Sequence, residues 1–124
     1  MKKLLVLALI VVFSTAVAAV AEEPSKDDVL MALQEFIDAQ TIDGTFPLYD
    51  AVTDDLLQLT FKELHDATVR ANGGFIATCA DFTDEAGAAY DIDFLVTQKG
   101  DGYRVLQAVV HSAAGEKREY HLEK

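Results

Sequence analysis

From Thr45 to Leu122 apolar and polar residues tend to alternate. Four turn signals cut that stretch: Asn72-Gly73, Asp84-Glu85-Ala86-Gly87, Lys99-Gly100-Asp101-Gly102 and Ala113-Ala114-Gly115-Glu116. A period of two belongs to a strand with one buried face, and short turns join neighbours in the antiparallel sense. This pattern predicts a meander sheet. Its later strands are expected over roughly 75–82, 88–98, 103–112 and 116–122. Leu57, Leu59 and Phe61 fall on one face of an earlier strand. The segment from Thr45 to Val52 reads as an edge strand, because Pro47 has no N–H to give a ladder.

Before the alternation the spacing is helical. Val29, Leu30, Leu33, Phe36 and Ile37 form one apolar stripe. Ser25 with Asp28 three residues later has the form of a capping box, and Asp27 and Asp28 sit where a helix dipole favours negative charge. The helix is expected from about Lys26 to Ala39 or Gln40, with Gly44 as the breaker after it. One helix before a meander makes an α+β fold, the helix laid across one face of a curved antiparallel sheet. In outline this order resembles the cystatin-like and nuclear-transport-factor-like rolls. That resemblance is one of element order and implies no activity. The chain has no glutamine-valine-glycine inhibitory loop of the cystatin kind.

Residues 1–21 read as a secretory signal peptide. Lys2 and Lys3 precede the apolar run Leu4–Phe13, and Ala19-Val20-Ala21 is a small-x-small exit. Cleavage would leave residues 22–124 as a single small domain, exported to a periplasmic or extracellular space. All 21 acidic residues lie after the cleavage point, so the net charge of −11 becomes two units more negative. Such a surface repels phosphate backbones and anionic headgroups. Neither nucleic-acid binding nor membrane binding after cleavage is expected. A lone cysteine, Cys79, allows no internal disulfide.

The stretch Cys79–Val96 sets Asp81, Asp91 and Asp93 among apolar residues. If Gly87 closes a three-residue loop in the left-handed conformation, Phe82 faces Tyr90, Ala80 faces Ile92 and Thr78 faces Phe94. That face is apolar and should take the helix. The other face then sets Asp81 against Asp91 and Cys79 against Asp93. Extended across the sheet, the same reasoning sets Asp91 against His111 and Asp66 against Cys79. It also turns His65 toward the helix and puts Leu95, Val105 and Val109 on the acidic face. Opposed carboxylates repel and invite a cation from His111, Lys117 or a metal ion.

The candidate binding residues are therefore Asp81, Asp91, Asp93 and His111. The plainest reading of them is the wet face of a sheet. The sharper one is a metal site, since carboxylate and imidazole together suit a borderline divalent ion and carboxylates alone suit calcium. The chain has no HExxH, no paired Cys-x-x-Cys and no calcium-loop spacing. An enzyme would use an aspartate acid–base pair in a helix–sheet cavity lined by Tyr49, Phe61, Tyr90 and Tyr103. Ser–His–Asp chemistry has no footing, because only Ser25 and Ser112 follow the signal segment. Between carboxylate neighbours Cys79 is expected to be unreactive. A module binding an unidentified protein or small ligand, without cofactor, ranks above an enzyme. The segment 45–55 could cover the acidic face.

Overall fold

The computed structural model describes residues 14, 25–70 and 74–120. Apart from Ser14, the segment 1–21 expected to be a signal peptide lies outside the described residues, as do the expected Asn72-Gly73 turn and His121. One helix, α1 (Lys26–Gln40), precedes six strands: β1 (Phe46–Asp50), β2 (Asp55–Arg70), β3 (Ile76–Thr83), β4 (Ala89–Lys99), β5 (Gly102–Ala113) and β6 (Glu116–Lys117). The strands form one open antiparallel sheet in sequence order, an α+β fold of the expected kind. Among the described residues no helix is long and apolar enough to cross a membrane.

The helix starts where its cap predicts. The Ser25 hydroxyl accepts from the Asp28 N–H at 3.4 Å, and Tyr103 Oη accepts from the Ser25 N–H at 3.1 Å. Val29, Leu33 and Ile37 are fully buried against the sheet. At about 1.5–3 kcal/mol for each large aliphatic side chain buried, this stripe outweighs the helix's own weak propensity to form. A main core joins Leu33 and Ile37 to Phe46, Leu59, Phe82, Ile92 and Phe94. Phe46 stacks at 5.1 Å from Phe82, and Phe36 meets Phe94 edge-on at 6.1 Å. Strand β1 thus adds Phe46 to the core on the helix side of the sheet.

The β3–β4 register is the expected one, with Phe82↔Tyr90, Ala80↔Ile92 and Thr78↔Phe94 in one set and Asp81↔Asp91 and Cys79↔Asp93 in the other. Gly87 has φ +82°, and the Asp84 N–H donates to the Ala88 carbonyl at 3.0 Å. Asp84 belongs to that turn, since its carboxylate accepts from the Ala86 and Ala88 N–H groups at 3.0 and 2.8 Å.

Elsewhere bulges correct the expected register. Strand β2 pairs Leu64 with Ala80 but Thr68 with Thr78, so residues 65–67 oppose Cys79 alone. Asp66 does not reach Cys79; it meets Lys26 Nζ at 2.6 Å on the exposed surface. His65 does not face the helix. It falls beside core-facing Leu64 and takes the opposite face, because a one-residue slip reverses every side chain. In β5, Val96 pairs with Val105 and Leu95 with Gln107, leaving Leu106 as an extra residue. That bulge turns Val105 into the helix-side core beside Val29, Ile76 and Val96.

Strand β6 is two residues long, shorter than the expected 116–122. After it the Arg118 guanidinium turns inward and donates to Asp50 through Nη1–Oδ1 at 2.6 Å and Nη2–Oδ2 at 2.7 Å. The expected aromatic cavity does not form around its four residues. Tyr49 is exposed and donates to Asp54 at 2.7 Å. Phe61 packs on Phe82 at 5.6 Å, and Tyr103 caps the helix start.

Candidate metal centre

Four strands bring six side chains onto the face opposite α1. Strand β2 supplies His65 from its bulge, β3 supplies Cys79 and Asp81, β4 supplies Asp91 and Asp93, and β5 supplies His111. Residues two apart on a strand share a face, so Cys79/Asp81 and Asp91/Asp93 form two adjacent pairs. The histidines close the row at either end.

His111 arrives by a bulge and not by direct opposition. Asp91 pairs with Ser112 and Ile92 with Val110, so His111 is the extra residue between them. Its Nδ1 lies 3.2 Å from Asp93 Oδ2 and 3.6 Å from Asp91 Oδ2. One ligand atom from each of Asp91, Asp93 and His111 lies within 4.8 Å of the other two. Ligands about 2.0–2.2 Å from a divalent ion stand at that order of separation from each other.

At the other end, His65 Nε2 is 2.8 Å from Asp81 Oδ1 and its Nδ1 is 2.6 Å from Cys79 Sγ. His65, Cys79 and Asp91 form a second set with ligand atoms within 4.8 Å of one another. Asp81, expected beside Asp91 as a ligand, is engaged by His65. Sequence reasoning missed His65 as part of this site. The signal was the even spacing of His65 from Phe61 and Leu59, which only the bulges at Lys62 and at 65–67 convert into the acidic face.

Two of the carboxylates are largely buried. The Asp93 side chain is only 13% exposed and Asp91 only 27%. Asp91 Oδ1 is buried and takes no hydrogen bond among the described residues. A buried carboxylate oxygen without a donor or cation is costly, because it loses its water and gains nothing. With Asp81 directly opposite across the strand pair, the repulsion adds to that cost. An ion between the ligand sets would remove both penalties.

Compared with known proteins, the chain matches no family model, no curated protein and no solved structure.

Proposed function

We propose that this is a small exported binding domain that holds a divalent transition-metal ion on the open face of its sheet, through Asp91, Asp93 and His111. The observation that carries the reading is Asp91 Oδ1, buried and unpartnered among the described residues, on the same carboxylate whose Oδ2 faces His111. Two carboxylates and an imidazole suit a borderline ion such as zinc or ferrous iron better than calcium, which takes six to eight oxygens. The acidic surface favours capture of cations. The signal-like segment 1–21 supports export. The cystatin-like or nuclear-transport-factor-like outline remains a likeness of element order.

Equilibrium dialysis of metal-stripped protein against zinc, followed by elemental analysis, tests the reading. The parent should retain zinc at micromolar free metal. His111→Ala should lose a ligand and bind about 10-fold or more weakly. Parent protein that retains no zinc above the buffer background would overturn it.

A protein-docking role is the second reading. Tyr49 and Leu56 are cross-strand partners, and with Val52 in the turn between them they expose three large side chains at 58%, 63% and 67% in the order Tyr49, Leu56, Val52. Clustered apolar exposure of this kind marks interaction surfaces. Sedimentation over a range of concentrations should show self-association that Leu56→Glu weakens, if a second copy is the partner. A sedimentation coefficient that stays monomeric at every concentration rules out that form of docking.

A further inference from the structure

Asp91 belongs to two ligand sets at once. With Asp93 and His111 it forms one, and with His65 and Cys79 it forms the other. A carboxylate has two oxygens, and each can take an ion. In Asp91 one of them, Oδ2, faces His111 at 3.6 Å, while Oδ1 is buried without a hydrogen-bond partner among the described residues. Paired metal centres use carboxylates in this way, with ions about 3.5–4 Å apart.

The far side of the His65 ring is held as that of a ligating histidine usually is. Its Nε2 faces Asp81 Oδ1 at 2.8 Å. An ionised carboxylate only accepts, so the proton of a neutral ring stands on Nε2 and Nδ1 keeps a bare lone pair. That lone pair lies on the side of Cys79 Sγ, 2.6 Å away. A carboxylate holding the far nitrogen of a ligating histidine is the usual second layer of a metal site, fixing the ring's tautomer and its aim. Asp81 is then a positioning residue, which explains why it points at His65 and not at the ion.

The same three residues, in the order Cys79, His65, Asp81, could also pass a proton and leave a thiolate nucleophile. The backbone argues against that use. Cys79 sits in the middle of β3, paired to Asp93 of β4 on one side and flanked by β2 on the other. Among the described residues no helix N-terminus points at it, since α1 packs on the opposite face. A nucleophile needs donors for the developing oxyanion, and a mid-strand position commits its own N–H to the ladder. A metal ligand needs none of these. Sulfur, imidazole nitrogen and carboxylate oxygen together select a thiophilic divalent ion, and binding displaces the thiol proton.

We propose that His65, Cys79 and Asp91 form a second metal position, specific for a thiophilic divalent ion such as zinc and joined to the first through the shared Asp91 carboxylate. This rests on the reading of Asp91, Asp93 and His111 as ligands of a first ion.

Cobalt(II) added to reduced, metal-stripped full chain under argon separates the outcomes, because a thiolate–cobalt bond gives a near-ultraviolet charge-transfer band. Elemental analysis counts the ions. The parent should develop the band and bind two cobalt ions per chain. Cys79→Ser should lose the band and keep one ion. His111→Ala should keep the band and lose one ion. Asp81→Asn should keep both positions but weaken the sulfur-containing one by about 10–100-fold, the usual effect of removing such a second-layer partner. Far-ultraviolet circular dichroism checks that each variant is folded, and the parent's count decides the matter where a variant is not. One ion with the band means a single mixed site and overturns the second position. One ion without the band also overturns it, and leaves the first intact. No bound cobalt overturns both. Rapid alkylation of Cys79 in the absence of any band would establish the nucleophile in its place.

Discussion

Asp50 and Arg118 form a buried ion pair away from the acidic row. Asp50 is 3% exposed and sits at the end of β1, where two Arg118 hydrogen bonds and the Val52 N–H hold its carboxylate. The pair borders a cavity of about 90 Å³ that also touches Val110 and Tyr120. The bidentate bond from Arg118 lowers the Asp50 carboxyl from 3.8 to about 2, against the opposing effect of burial, and the same bond raises Arg118 further above its ordinary range. Because the folded value lies below the unfolded one, the pair's stabilisation is complete above about pH 4 and is lost as the pH falls through about 2. Arg118→Ala leaves a buried charge unpaired and should cost about 3–5 kcal/mol in urea unfolding at pH 7. That deficit should narrow below pH 4, as Asp50 takes up a proton in the variant. A loss under about 1 kcal/mol would show that water already shares the pair. Lys26 and Asp66 make the contrast: they are 43% and 87% exposed, and such a surface pair is worth about 0–1 kcal/mol.

At the scale of elements, regular local signals were legible and bulges were not. The stripe from Val29 to Ile37, the Ser25 cap and the Gly87 loop each follow from residue type and spacing, and each stands where expected. The Asp81↔Asp91 and Cys79↔Asp93 pairs follow from that loop. Register beyond it depended on two-residue and three-residue turns continued without interruption. The extra residues at 65–67, Leu106 and His111 break that assumption. Nothing in the composition of those stretches marks a bulge, because each is set by packing on a curved sheet and not by a local breaker. So Asp91, Asp93 and His111 could be named together, while His65 was assigned to the wrong face. The core prediction tests the face assignment itself. Phe94 is fully buried between Phe36, Phe46 and Phe82. Phe94→Ala should leave a cavity and cost about 3–5 kcal/mol by chemical unfolding. A change under about 1 kcal/mol would contradict a helix-side core centred there.

For the whole molecule, one helix packs on one face of an open sheet, and the acidic row lies on the other. A domain this small with a single cysteine has no disulfide within the chain to offset losses in its core. A bound ion tying β4 to β5 would act as a cross-strand staple, stabilising the folded form by mass action. Export is a separate matter and has its own test. Mass spectrometry of protein from its native host should find Glu22 at the N-terminus, and a mass that includes residues 1–21 would contradict cleavage. The proposed metal centre is tested most directly by thermal unfolding of metal-stripped parent and Asp91→Asn, each with and without zinc. The parent should gain several degrees in melting temperature at micromolar zinc, and Asp91→Asn should gain nothing. Without zinc, Asp91→Asn should match or exceed the parent, since it removes a carboxylate opposed to Asp81. A parent whose melting temperature ignores zinc, with Asp91→Asn simply more stable, would make the row a solvated sheet face and not a metal centre.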